Sequence, residues 1–141
     1  MLKKPSYELM DHTADLGVHV YGRDPKDLFQ NAALALVDQL VETRDLLARQ
    51  EEQITIKGND WPDLMVNWLR EILYLWVGKA ILVQSVQIES ISENRLTAHL
   101  WVDPFSLDRH TLKTEIKAVT YHQIQVFDTG RMWESKVIFD T

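Results

Sequence analysis

Leu82-Val83-Gln84-Ser85-Val86-Gln87-Ile88-Glu89-Ser90-Ile91-Ser92-Glu93-Asn94-Arg95-Leu96-Thr97-Ala98-His99-Leu100-Trp101-Val102 is the stretch that decides the fold. On its return limb Leu96, Ala98, Leu100 and Val102 sit two apart, the period that turns alternate side chains of a strand to one face. Val86, Ile88 and Ile91 mark the outgoing limb, and Ser92-Glu93-Asn94 between them reads as a tight turn. The stretch is therefore a β-hairpin. Asp128-Thr129-Gly130 joins a second pair of strands in the same way, ending with Trp133 to Phe139. Strands joined by tight turns pair antiparallel, whereas a doubly wound sheet needs a helical crossover between strands.

Upstream lies a helix. Asp60 reads as its N-cap with Pro62 in the first turn, and Leu64, Trp68, Ile72 and Trp76 recur every fourth position. Met65, Leu69 and Leu73 widen the stripe, and Gly78 is read as the end of the helix. A strand around Gln53 to Ile56 precedes it, after a polar connection from Thr43 to Gln50. Asp24-Pro25 opens an earlier helix, expected over about residues 25 to 41, with Leu28, Ala32 and Leu36 on its apolar face. Leu16, Val18 and Val20 alternate as a strand, and Tyr7 to Met10 reads as another. Downstream, Asp103 to Leu112 reads as a loop and Ile116 to Val126 as one strand. The expectation is a single α+β domain over residues 1–141, a two-layer sandwich of two main helices on a largely antiparallel or mixed sheet. Its order is β-β-α-β-α-β-β-β-β.

Composition narrows the function. With 45% hydrophobic and 26% charged residues the chain has a globular make-up. No run approaches the ~20 apolar residues that span a bilayer. Met1-Leu2-Lys3-Lys4-Pro5 lacks the apolar run of a secretory signal. The absence of cysteine excludes disulfides and thiolate chemistry and fits a reducing compartment, so a cytoplasmic protein without a membrane is expected. A formal net charge of −6 repels phosphate, so any contact with RNA is expected to run through a protein partner. No Gly-rich phosphate loop and no Gly-x-Ser-x-Gly elbow is present.

What remains is a set of polar residues. His12 and Asp15 sit three apart in a loop, a spacing that suits a divalent metal or an ordinary turn aspartate beside a hydrogen-bonded histidine. His110 and His122 add ligand types without a spacing that joins them to His12. His19 and His99 fall on strands and are expected to face solvent. Asp140 and Thr141 follow the last strand, where carboxylate oxygens would suit calcium or magnesium, or simply be solvated. Lys117 reads as a lysine on the wet face of a strand, and Tyr121-His122 as a hydrogen-bonded pair at the core margin.

Three blocks taken together carry a resemblance. Asp11-His12-Thr13-Ala14-Asp15-Leu16-Gly17, then Asp108 and His110 with Glu115-Ile116-Lys117-Ala118-Val119-Thr120-Tyr121-His122, then Val137-Ile138-Phe139-Asp140, resemble the signatures of the archease family in their order. The resemblance implies an accessory protein and not a ligase: an activator of the RtcB-type RNA-splicing ligase, which promotes guanylylation and multiple turnover in tRNA splicing or RNA repair. It also implies a metal site matching Asp15, Asp140 and Thr141, with calcium or another divalent cation, and a functional lysine matching Lys117. His12 and His122 would stand behind that site. Relatives commonly end in an apolar residue where this chain has Thr141. Two other classes compete: a small metal-dependent hydrolase built on His12, Asp15 and His122, and a general chaperone-like modulator.

Overall fold

The two helices begin by the same device. In a computed structural model that describes residues 6–10 and 15–141, α1 (Pro25–Leu40) is capped by Asp24, whose carboxylate accepts from the Asp27 N–H at 2.8 Å. Helix α2 (Trp61–Lys79) is capped by Asp60, which accepts from the Asp63 N–H at 2.9 Å. In each case the third helical residue answers: Asp27 accepts from the Arg23 N–H at 2.9 Å and Asp63 from the Asn59 N–H at 2.8 Å. Each is a variant of the capping box in which the third-position aspartate reaches the N–H of the residue before the cap and not that of the cap itself. Gly22 and Gly58 precede the caps because the helix start lies against them. A Cβ on Gly22 would stand 2.3 Å from the Leu28 nitrogen, and one on Gly58 2.7 Å from the Leu64 nitrogen.

The pairing among the described residues is antiparallel throughout and divides into two sheets. The first has the order β1 (Tyr7–Met10), β2 (Leu16–Gly22), β8 (Trp133–Asp140), β6 (Ala118–Val119), with β7 (Gln125–Asp128) also paired to β8. The second has the order β3 (Gln50–Lys57), β5 (Arg95–Pro104), β4 (Ile81–Ser92). The hairpin read from Leu82 to Val102 is β4–β5, with Ile91 opposite Leu96 and Ile88 opposite Ala98. Leu96, Ala98, Leu100 and Val102 are all buried. This is the α+β architecture with two main helices that the pattern implies.

Helix α1 packs on β2 of one sheet and β4 of the other, so it is buried nearly all round, including Leu28, Phe29, Ala32, Ala33, Leu36 and Val37. Its polar residues serve that position. Asn31 donates to the Tyr21 carbonyl at 2.8 Å, and Gln30 accepts from the Ile88 N–H at 3.0 Å, beside a register shift in β4. Trp68 of α2 donates its indole N–H to the Phe29 carbonyl at 2.8 Å, tying the helices together inside the core. A buried indole needs such a partner.

Three expectations need correction. Gly78 lies within α2, and the helix ends at Ala80, whose φ of 54° and ψ of 43° are left-handed and whose N–H turns back to the Trp76 carbonyl at 2.9 Å. Ile116 to Val126 is not one strand. Ile116 and Val119, three apart, are both buried, which breaks the alternation, and a turn with Gln123 at φ 55° separates β6 from β7. Asp103 and Pro104 belong to β5, so the loop that follows starts later than the composition implies.

Candidate functional site

Strand β8 is where the separate sequence blocks meet. On one side it pairs with β2 from Gly22↔Trp133 to Leu16↔Phe139. Asp15 immediately precedes the last paired residue of β2, and Asp140 immediately follows its partner Phe139. On its other side β8 pairs with β6, Ala118↔Asp140 and Val119↔Phe139. Residues far apart in sequence therefore come toward one strand terminus: Asp15 from just before β2, Lys117 from just before β6, and Asp140 at the end of β8 with Thr141 following it.

The main chain holds this end firmly. The Lys117 N–H donates to the Asp140 carbonyl at 2.7 Å. The Thr120 N–H and hydroxyl both donate to the Ile138 carbonyl, at 3.1 and 2.9 Å. Val137, Ile138 and Phe139 are buried, so apolar packing anchors the strand up to the residue before Asp140. Asp140, Thr141 and Lys117 are then exposed, and Asp15 is half-buried.

His12, with Asp11, Thr13 and Ala14, lies outside the described residues. His122 is exposed on the turn that leaves β6, its N–H donating to the Thr120 hydroxyl at 3.2 Å. His110 is not near this strand end in its bonding. It is buried and paired with Asp103 at 2.9 Å. His19 and His99 are less solvated than expected, each half-buried and 2.6 Å from a glutamate, Glu134 and Glu51 respectively. Tyr121 does not pair with His122. Its hydroxyl donates to Asp63 at 2.6 Å.

Among the described residues no three His, Cys, Asp or Glu side chains gather as a metal cluster. The oxygens that could serve a cation at the end of β8 are those of Asp15, just before β2, of Asp140, and of the Thr141 main chain. They are all hard oxygens, a set that fits calcium or magnesium better than zinc or copper. Carboxylates brought close together repel each other, and a cation between them would offset that repulsion.

Sequence reading missed the residues that bind β6 to α2. Arg70 donates its Nε–H to the Val119 carbonyl at 3.2 Å and lies 4.7 Å over the Tyr121 ring. The Asp63 carboxyl is held below its usual range, first by the Tyr121 hydroxyl and then by the Asn59 N–H. The Tyr121 hydroxyl is pushed up in turn, mainly by its bond to Asp63. The sequence does carry one signal: Arg70 is the single basic residue between Trp61 and Gly78, in an otherwise largely apolar helix.

A two-helix α+β domain with an acidic strand end defines the class, and the comparisons define the family. Residues 7–141 match the model of the Archease protein family (MTH1598/TM1083). The archease of Methanosarcina barkeri is 33% identical over 138 residues, covering 95% of this chain and 94% of that protein. An archease-like protein of Drosophila melanogaster is 31% identical over 129 residues, covering 89% and 83%. The solution structure of Methanobacterium thermoautotrophicum protein 1598 matches with a TM-score of 0.80 at 28% identity, covering 96% of this chain and 99% of that one. The crystal structure of a Thermotoga maritima archease, described as a possible chaperone, shares the fold with a TM-score of 0.63 at 20% identity over 100% and 98%. This chain belongs to the archease family.

Proposed function

We propose that this protein is a non-catalytic, cytoplasmic activator of an RtcB-type RNA-splicing ligase, promoting ligase guanylylation and repeated turnover in tRNA splicing or RNA repair. The observation that supports this reading most directly is the register at β8, which gathers Asp15, Lys117, Asp140 and Thr141 from distant parts of the chain. The carboxylates of Asp15 and Asp140, with a main-chain oxygen of Thr141, would hold calcium or a similar divalent cation. Such a cation supplies positive charge that offsets carboxylate repulsion and orders the strand end.

The chain's own residues do the rest. Pairing with β6 fixes Asp140, the Lys117 N–H is tied to its carbonyl, and Asp15 precedes the residue paired with Phe139, so an ammonium and two carboxylates lie toward the same strand end. That compact polar tip is suited to a partner's charged active centre, while the net charge of −6 disfavours a broad RNA surface. An activator of this kind shifts its ligase only through a difference in affinity for two ligase states.

The test is a multiple-turnover RNA ligation with the cognate ligase, GTP and manganese. Asp15→Ala and Asp140→Ala variants of verified fold are compared with the wild type for guanylylation. Loss of stimulation in both is expected, and full stimulation by both would sink the proposal. Turnover of a small substrate without the ligase would favour a hydrolase, and equal effects on unrelated clients a general modulator.

A further inference from the structure

Strand β6 has two residues and lies at a sheet margin, yet it carries the lysine of the proposed site on its leading side. Two paired positions are little to fix a segment against fraying. Ile116 and Val119 bury their side chains, but Lys117 itself is exposed and gains no packing. On one flank the segment is hydrogen-bonded to β8. On the other it meets α2.

That second flank is built from three residues in series. Asp63 is fixed first, because one carboxylate oxygen accepts from the Asn59 N–H just ahead of the α2 cap. Its other oxygen receives the Tyr121 hydroxyl at 2.6 Å. Arg70, two turns further along the same helix, has its guanidinium over the Tyr121 ring at 4.7 Å while its Nε–H reaches the Val119 carbonyl at 3.2 Å. The outward carbonyl of an edge strand thus receives a side-chain donor from a rigid helix. The ring following that strand is held at both its face and its hydroxyl.

The geometry points to Arg70, Tyr121 and Asp63 as positioning residues: a clamp from α2 that sets the Lys117 segment against Asp140 and so presents the lysine to the partner. This rests on the ligase-activator reading for its functional half. Its structural half stands on the contacts alone. The clamp acts through the backbone of residues 117–121, which distinguishes it from a general contribution to the core.

Two measurements on the full chain test it. Amide exchange compares Lys117 and Thr120 with Val18 and Val137 in the wild type, Arg70→Ala, Arg70→Lys and Tyr121→Phe. Losing a hydrogen bond and a ring contact is expected to speed exchange at Lys117 and Thr120 in Arg70→Ala by about tenfold, with Val18 and Val137 unchanged. Arg70→Lys restores only part of the protection, because an ammonium lacks the planar face that stacks on Tyr121. Should Arg70→Ala fail to fold, Tyr121→Phe carries the test, since it removes only the bond to Asp63.

Ligase stimulation is the second measurement. Arg70→Ala is expected to lower it in the wild-type background and to add nothing to Lys117→Ala, the signature of two residues acting as a unit. Unchanged exchange at Lys117 and Thr120 overturns the clamp. Faster exchange with full stimulation, or additive losses in the double variant, overturns its positioning role. If the wild type does not stimulate the ligase at all, the proposed function falls, and the exchange arm alone then decides whether the clamp exists.

Discussion

Asp103 is a fully buried carboxylate at the end of β5 with its acceptor capacity well used. It receives two Arg109 N–H groups at 2.8 and 3.0 Å, the Leu47 N–H at 2.9 Å and His110 Nε2 at 2.9 Å. Since His110 Nδ1 accepts from the Ser106 N–H at 2.9 Å, Nε2 must carry the proton that goes to Asp103. Burial works to raise the Asp103 carboxyl, but the bonds from Arg109, Leu47 and His110 outweigh it and hold it far below the usual carboxylate range. A depressed folded value means stability present above the unfolded value of about 4 and lost as pH falls below it toward the folded one. The stability advantage of the wild type over Asp103→Asn, measured by urea unfolding, is therefore expected to shrink as pH is lowered from 5 toward 2. Asp103→Ala at neutral pH strands Arg109 and His110 and should cost about 3–5 kcal/mol in the same assay. None of this was legible in the residues, because Asp103 looks like any loop aspartate before a proline. Its partners lie 56 positions back, at Leu47, and in the turn after β5.

At the scale of elements, what was readable was what local chemistry decides. Asp24-Pro25 and Asp60 announced both helix starts, and the two-residue period of Leu96 to Val102 announced β5. Helix α2 shows where local reading stops. Gly78 looked like its end, yet the left-handed position is taken by Ala80. Alanine pays about 1 kcal/mol there that glycine does not, so Ala80→Gly should stabilise the protein by up to about that amount in thermal or urea unfolding. The reverse experiment is Gly22→Ala. With the Leu28 backbone at 2.3 Å from the new Cβ, helix α1 must shift, and a loss of about 1–3 kcal/mol is expected. The single strand read from Ile116 to Val126 failed for a related reason. Gln123 adopts a left-handed turn that its identity does not announce.

For the whole molecule, charge and register are the governing quantities. An acidic chain brings Asp15, just before β2, toward Asp140 at the end of β8, the pair proposed above to share a cation. Anything that binds the folded state alone stabilises it by mass action, by about 2.7 kcal/mol at a hundred times its Kd. Calcium is therefore expected to raise the Tm of the wild type in a concentration-dependent way, and to leave Asp15→Asn and Asp140→Asn nearly unmoved. Equal shifts in all three proteins would count against a site shared by these carboxylates. No helix among the described residues is long and apolar enough to cross a membrane.

The blocks around Asp15, Lys117 and Asp140 stood out in the sequence, as did the helix starts, the hairpins and the α+β class. Caps, turns and periodicity act over a few residues, so the chain carries them in plain view. That β8 lies between β2 and β6, and so brings Asp15, Lys117 and Asp140 toward one strand end, is a matter of pairing across more than a hundred positions on the β2 side and about twenty on the β6 side. Only the tertiary structure decides it. The same holds for the Asp63–Tyr121–Arg70 clamp, because no local rule links the face of a helix to a two-residue strand about fifty residues later.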